Sequence, residues 1–192
     1  MTRQSASFDA AKAVAAIGYL VRTTSADLYS VMKMLYLADK SHLAEFGRTI
    51  SGDVYTAMKR GPVPERAYNL CKFVAGKRSS FDPMPNAREL LGMDGNNFVL
   101  NVEPDMDELS RSDVSALDAA AAVFRKGGWR AVFSESHDDA WNAAWEEAKA
   151  RGSGSLDMDL SAIASTLPNA AELIEFMADP HPGTEDCARS AS

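Results

Sequence analysis

The chain has 192 residues, of which 46% are hydrophobic and 24% are charged, and it carries a formal net charge of -7. This length predicts one domain, and the composition is that of an ordinary soluble globular protein with enough apolar material for one core. Nucleic-acid affinity comes largely from Lys and Arg displacing counterions, so we do not expect nucleic acid to be a partner of this acidic chain.

The two cysteines, Cys71 and Cys187, cannot make a framework of disulfides, and neither has a neighbour at zinc-ligand spacing. The first residues lack the apolar core of a signal peptide. The longest apolar stretch, residues 13–21, is far shorter than the ~20 residues that a membrane span needs. We therefore expect a cytoplasmic protein with reduced thiols, no membrane association, no bound metal and no cofactor.

Two helices are predicted at the start of the chain. Apolar residues recur at helical spacing over residues 8–23, where Ser7 or Asp9 is the expected N-cap. They recur again over residues 26–46, where Ser25 is the expected N-cap. Both helices have the broad apolar surface of core elements.

The pattern changes after Gly47, which is a natural end for the second helix. Residues 49–59 combine β-branched and aromatic residues with a turn, which favours a short strand. The sequence Gly61-Pro62-Val63-Pro64 is predicted to break that strand, because proline fixes φ and restricts the residue before it. A helix over residues 64–75 should follow, with Pro64 in its first turn and Gly76 after its end.

The middle of the chain is predicted to hold a hairpin and then more helices. Residues 77–87 form a loop, and residues 88–91 and 98–102 flank Gly and Asn residues that tolerate positive φ. The predicted helices then run from Ser110 to Gly127-Gly128, over residues 129–136, and from His137 or Asp138 to Ala150.

The last part of the chain begins at Gly152-Ser153-Gly154, which we interpret as a flexible joint. Short helices are predicted over residues 159–166 and 169–178, and the polar tail over residues 179–192 is expected to be disordered. The whole pattern predicts an α+β fold that is mainly α-helical, a compact single domain with a small antiparallel β element.

Two histidine sites are the candidates for chemistry. Asp39 and His42 project from one helix face and could bind a metal or act as an acid–base pair, and His137 with Asp138 and Asp139 could hold a divalent ion. Each has a structural interpretation that we favour, namely a hydrogen-bonded histidine near a helix end and a helix start capped by acidic residues. No nucleophile, phosphate-binding or zinc-protease motif accompanies them.

Aromatic and basic residues suggest recognition of another molecule. Trp129, Trp141 and Trp145 belong to the residue class that dominates both cores and interfaces, and core packing is the interpretation that we favour for them. Lys59 and Arg60 precede the rigid Gly-Pro turn, which would hold two positive charges at a defined place.

A distinctive order of motifs lies between Met34 and Tyr68. It reads Met34-Leu35-Tyr36-Leu37-Ala38-Asp39, His42-Leu43, Phe46-Gly47-Arg48, Ile50-Ser51-Gly52-Asp53, Tyr55, Ala57, Gly61-Pro62-Val63-Pro64 and Tyr68. This order resembles the Panacea domain, the SocA-type antitoxin family of bacteria and phages, over about residues 10–150. Ser136-His137 followed by Trp141 and Trp145 is similar to that family's later His…Trp signature, with either tryptophan in the matching place.

The resemblance implies a non-enzymatic antitoxin that binds and neutralises a cognate protein toxin. The SocA branch further implies an adaptor that presents the toxin to an ATP-dependent protease. No catalytic residue is carried over from the family. The implied organisation is a Panacea-like domain over residues 8–150, a helical extension over residues 151–178 and the tail over residues 179–192.

The leading hypothesis is therefore an antitoxin that acts by protein recognition. Its net negative charge would suit a basic toxin, whereas the two basic residues before the Gly-Pro turn would suit an acidic partner surface. The residues predicted to lie near the functional surface are Asp53, Tyr55, Lys59, Arg60 and Trp141. One alternative is a small metal-dependent hydrolase using Asp39, His42 and His137. Another is a DNA-binding regulator, which would need a basic helix face that the sequence does not show.

Overall fold

The structure is a computed structural model that describes residues 7–77, 84 and 86–178. Its α-helices are α1 (Ala10–Thr24), α2 (Leu28–Phe46), α3 (Glu65–Val74), α4 (Ala87–Leu90), α5 (Arg111–Ser136), α6 (Asp139–Ala150), α7 (Leu160–Ala164) and α8 (Ala170–Ala178). Its strands are β1 (Tyr55–Met58), β2 (Gly61–Pro64), β3 (Leu91–Asp94), β4 (Asn97–Leu100) and β5 (Ser155–Met158). The predicted class, a single α+β domain that is mainly helical with a small antiparallel sheet, is confirmed.

Helix α2 lies at the centre of the molecule and separates two apolar clusters. On one side its residues pack with α1 and α5, and on the other with β1, α6, α7 and α8. The helix ends at Gly47 as predicted, and this glycine adopts a left-handed conformation with φ of 66°. Because α2 is buried on both sides, it connects the two clusters and fixes the positions of α1, α5, β2 and α7 around it.

The caps of the first two helices differ in part from the prediction. Asp9 is the N-cap of α1, and its side chain accepts the Lys12 N–H. The prediction that Ser25 is the N-cap of α2 was wrong, because Asp27 fills that role and accepts the Ser30 N–H at 2.9 Å. Ser25 is instead the C-cap of α1 and has a left-handed conformation with φ of 53°. The end of α1 and the start of α2 are therefore separated by only three residues.

The prediction that Gly61-Pro62-Val63-Pro64 breaks the strand was wrong. These residues form β2, which pairs antiparallel with β1 and places Pro62 opposite Ala57. Alternate residues of such a pair turn their backbone groups away from the partner strand. The Pro62 carbonyl faces Lys33, so its nitrogen also lies on the outer side, where no ladder hydrogen bond is lost. Both prolines thus fit an edge strand, and Pro64 is the N-cap of α3 rather than a residue of its first turn.

The predicted joint at residues 152–154 is followed by a strand that the sequence analysis did not predict. Strand β5 pairs antiparallel with β1, and the three-stranded sheet has the order β2-β1-β5. The predicted helices over residues 159–166 and 169–178 are confirmed as the shorter α7 and α8. Strand β5 therefore ties the last part of the described chain to the sheet.

The middle of the chain follows the prediction in outline. Strands β3 and β4 form the expected hairpin, but residues 88–90 belong to α4 rather than to a strand. The capping box at Ser110 opens α5, and Gly128, with φ of 63° and ψ of -155°, breaks the helix where the sequence predicted an end. The tail over residues 179–192, which includes His181 and Cys187, and most of the loop over 78–85 lie outside the described residues.

Candidate functional site

Three of the predicted partner-binding residues meet where the β1–β2 turn touches the start of α6. Lys59 and Arg60 are the two residues of this turn, and both are exposed. Trp141, in the first turn of α6, is only 8% exposed, and its indole N–H donates to the Met58 carbonyl at 3.0 Å. The tryptophan therefore fastens the helix to the turn, with its ring inside the molecule.

A row of aromatic rings runs from the surface to this tryptophan. Trp129, Phe133, His137 and Trp141 are four residues apart in sequence, and the distances between successive ring centroids are 6.0, 3.8 and 4.1 Å. Trp129, at the outer end, is 58% exposed. Because Trp129 packs edge-to-face against Phe133 in this row, it presents a large apolar surface at low cost in side-chain entropy.

Basic side chains lie against the exposed aromatic rings. The Arg60 guanidinium lies 5.5 Å from the centroid of the Tyr29 ring, and that of Arg130 lies 5.6 Å from the Trp129 ring. We refer to Tyr29, Lys59, Arg60, Trp129, Arg130 and Phe133 as the basic–aromatic patch. The patch is positively charged on a chain whose net charge is -7.

Lys33 and His137 pack against the inner side of the β1–β2 turn. Lys33 is 5% exposed, and its Nζ donates to the Pro62 carbonyl at 2.6 Å. Burial lowers the pKa of Lys33 to about 7. Gly61 has φ of 101°, and a Cβ there would lie 2.6 Å from His137 Cε1 and 2.8 Å from Lys33 Nζ. Only glycine therefore fits at the point where these three residues meet.

His137 is neutral in this arrangement. Its Nδ1 donates to the Phe133 carbonyl at 2.6 Å, which leaves Nε2 as an acceptor. Burial lowers the pKa of the imidazole, and Nε2 finds no hydrogen-bond partner among the described residues. The ring therefore serves as a packing surface between Phe133 and Trp141 rather than as a cation.

Asp138 fixes the start of α6 against α2. Its side chain caps the helix by accepting the Trp141 N–H at 3.0 Å. It also accepts the Tyr36 hydroxyl at 2.8 Å and the Lys40 ammonium at 2.5 Å. The structural interpretation of this acidic helix start is thus confirmed for Asp138.

The other two predicted partner-binding residues, Asp53 and Tyr55, lie inside the molecule. Asp53 accepts the backbone N–H groups of Val54, Arg66 and Ala67 at 2.8 to 3.0 Å, and so joins β1 to the start of α3. Burial raises the pKa of Asp53. Both side chains are buried and hydrogen-bonded within the molecule, and their direct contact with a partner stays a prediction.

Tyr55 belongs to a buried hydrogen-bond network with Asp39. The tyrosine hydroxyl donates to Asp39 Oδ2 at 2.6 Å, and Asp39 Oδ1 accepts the Ile50 N–H at 2.7 Å. Burial raises the pKa of Asp39 to about 7 against the opposing effect of these hydrogen bonds. The network holds the segment before β1 on α2.

The three residues of the hydrolase alternative are used in separate places. Asp39 serves the network with Tyr55, and His137 lies in the aromatic row. His42 is fully buried between the Arg48 carbonyl, 2.9 Å from Nδ1, and Asp113, 3.1 Å from Nε2. Over residues 7–77, 84 and 86–178, no three His, Cys, Asp or Glu side chains are grouped so that they could hold a metal ion.

Comparison with protein-family models identifies the domain to which this surface belongs. The model described as "Antitoxin SocA-like, Panacea domain" matches residues 31–142. The chain belongs to this family. The match confirms the predicted resemblance, and the Panacea domain includes Lys33, the β1–β2 turn and the whole aromatic row. It includes Trp141 but not Trp145, and Trp141 is the tryptophan that contacts His137.

The other comparisons add no relative: no curated protein and no solved structure matches the chain. Among the helices that the structure describes, none is both long and apolar enough to cross a membrane.

Sequence reasoning found part of the Panacea domain's candidate surface and missed the rest. It did not single out Tyr29 or Lys33, whose roles depend on residues about 30 positions away. It also missed Phe133. The spacing of four residues between Trp129, Phe133, His137 and Trp141 was the available signal, since such residues share one face of a helix.

Proposed function

We propose that this protein is an antitoxin that binds a cognate protein toxin through the basic–aromatic patch and acts by contact, without catalysing a reaction. Membership of the SocA-like antitoxins supports the general role. The observation that carries the proposal is the exposed Trp129, which lies beside Arg130 and is supported by the aromatic row.

The chemistry of the patch matches that of interface hot spots. Tryptophan, tyrosine and arginine are the residues whose removal most often costs a complex the larger part of its affinity. Here they lie on a turn and on helix ends that Lys33, Asp138 and Trp141 hold in place. A surface fixed in this way loses little entropy on binding. Its charge fits an acidic face of the toxin.

Co-expression with the product of the neighbouring gene tests the proposal. We expect the wild-type chain to restore growth and to co-purify with that product. Trp129→Ala and Arg60→Ala should each weaken the complex by about tenfold or more, because both remove groups typical of hot spots. Val102→Ala is the matched control, since Val102 is 53% exposed and lies outside the patch. Absence of rescue and of co-purification with the wild-type chain would contradict the proposal.

The same strains separate occlusion from delivery to an ATP-dependent protease. If the antitoxin acts by covering the toxin, the toxin level stays constant and growth is restored in a strain that lacks such proteases. If the chain acts as an adaptor, the toxin level falls only where the protease is present. We include the adaptor role because the SocA branch of the family implies it.

A further inference from the structure

A second apolar surface lies outside the basic–aromatic patch. Nine large hydrophobic side chains are exposed among the described residues, and four of them line one groove of about 640 Å³. These four are Phe46 at the end of α2, Val54 before β1, and Ile174 and Phe176 on α8. Apolar side chains gathered in this way mark a binding surface more strongly than the same residues scattered singly.

The groove is built on buried side chains and a close contact between α2 and α8. Its floor includes the buried side chains of Tyr55, Met158 and Ile163. Gly47 has φ of 66°, and a Cβ at this position would clash with the Phe176 ring. The left-handed glycine that ends α2 therefore also lets α8 approach closely and form one wall. Strand β5 connects this wall to the sheet.

The charge beside the groove has one sign on the α7–α8 side. Residues 152–178 contain no Lys or Arg. Three exposed acidic residues lie on this side: Asp159, which precedes α7 and lines the groove, and Glu172 and Glu175 on α8. The opposite wall carries one cation, Arg48, whose guanidinium lies 3.9 Å from the buried carboxylate of Asp113. The nearby charge of Asp113 offsets part of the positive charge of Arg48.

We propose that this groove binds an amphipathic segment of a second protein, apolar on one side and basic on the other. Apolar residues at helical spacing would fill the groove, as in other helix-in-groove complexes, while Lys or Arg would face Asp159 and the acidic residues of α8. The chain's own segment after Ala178 has the wrong chemistry for this site, because Asp179, Glu185 and Asp186 would be placed against like charges. The proposal does not depend on toxin binding by the basic–aromatic patch.

The test uses the full chain and a fluorescent peptide of about 18 residues with Leu along one helical face and Lys along the other. Anisotropy titration should give saturable binding that weakens as salt is raised. Two control peptides should each bind at least about tenfold more weakly. One has Glu in place of Lys, and the other has the same residues in scrambled order. Equal binding of the three peptides, or no binding of the Lys peptide, would overturn the proposal.

Variants locate the binding on the groove. Ile174→Gln removes apolar surface from the wall, and Glu172→Lys with Glu175→Lys reverses the nearby charge, and each should reduce affinity for the Lys peptide about tenfold. Val99→Gln on β4 is the matched control and should bind as the wild type does. Far-ultraviolet circular dichroism shows which variants fold, and the exposed charge reversal carries the test if Ile174→Gln does not. Sedimentation showing a dimer that Ile174→Gln dissociates would assign the groove to a second copy and overturn the proposal.

Discussion

At the scale of single residues, Gly61 determines how closely the β1–β2 turn packs against Lys33 and His137. Its positive φ is a conformation that a side chain disfavours, and the space that a Cβ would need is occupied by Lys33 and His137. Gly76 also has a positive φ, of 72°, but nothing lies within 4 Å of its Cβ position. Substitution of Gly76 would therefore cost backbone strain alone, whereas substitution of Gly61 would cost both backbone strain and a steric clash.

We predict that Gly61→Ala lowers the free energy of unfolding by about 2–4 kcal/mol, since strain and overpacking add. Gly76→Ala should cost only about 1 kcal/mol, from strain alone. Urea denaturation of both variants measures the difference. Equal losses would show that the contact of Gly61 with Lys33 and His137 does not constrain the turn.

Burial of Lys33 makes the stability of the folded protein depend on pH, and the sign of this dependence follows from the lowered pKa. Because the pKa of Lys33 falls to about 7 in the folded protein, the unfolded chain binds more protons at this side chain between pH 7 and its ordinary value of 10.5. Stability from the neutral amine is therefore present at high pH and is lost as pH falls toward 7. His137, which packs against Lys33, is neutral over this range, because its pKa is lowered from 6.5.

The difference in stability between the wild type and Lys33→Met isolates this effect, because other titrations are common to both proteins. We predict that the wild type gains about 2 kcal/mol relative to the variant between about pH 7.5 and pH 9.5. Urea denaturation at several pH values provides the measurement. Parallel profiles for the two proteins would contradict the assignment.

At the scale of elements, the start of α6 depends on one carboxylate. Asp138 accepts hydrogen bonds from the Trp141 N–H, the Tyr36 hydroxyl and the Lys40 ammonium. Asp139, the next residue, is exposed and makes none of these contacts. We predict that Asp138→Ala lowers the free energy of unfolding by about 2–3 kcal/mol, because it removes an N-cap and leaves a buried hydroxyl with no acceptor.

Asp139→Ala is the matched control and should change stability by less than about 0.5 kcal/mol. Thermal denaturation followed by circular dichroism compares the two variants. Similar losses in both would mean that general negative charge at the helix start, rather than the Asp138 hydrogen bonds, stabilises α6.

Elements also show what local sequence could predict. The capping residues and glycines at Gly47, Ser110 and Gly128 locate helix ends correctly, because caps and positive φ are local properties. Strand β2 was missed because the tolerance of Pro62 depends on its edge position and on Lys33, and both are tertiary facts. Strand β5 was missed because four residues carry little pattern until β1 lies beside them.

The candidate surface follows the same division. Lys59 and Arg60 were found because the rigid turn after them is visible in the sequence. Tyr29, which lies beside Arg60, and Phe133, which lies beside His137, could not be assigned to the surface, since they reach it from α2 and α5. Asp53 and Tyr55 were expected near the functional surface, but both are buried and hydrogen-bond to groups inside the molecule.

At the scale of the whole molecule, the family match ends at residue 142, but the packing does not. Strand β5 completes the sheet beside β1, and Ile163 and Leu173 enter the apolar cluster that contains Tyr36 and Leu43. A division after Ala150, as the sequence suggested, would leave β1 with an unpaired edge and expose one side of this cluster. The segment over residues 151–178 thus shares a core with the part of the chain that the family match covers.

We therefore predict that a chain ending at Ala150 loses cooperative thermal unfolding or unfolds at least about 10 °C lower, since a paired strand and several buried side chains are removed together. A chain ending at Ala178 keeps every described element and should unfold at a temperature close to that of the full chain. Differential scanning calorimetry and limited proteolysis distinguish the two. If the chain ending at Ala150 unfolds cooperatively at the temperature of the full chain, β5, α7 and α8 are a separable extension, and the groove between them and α2 is not part of the domain core.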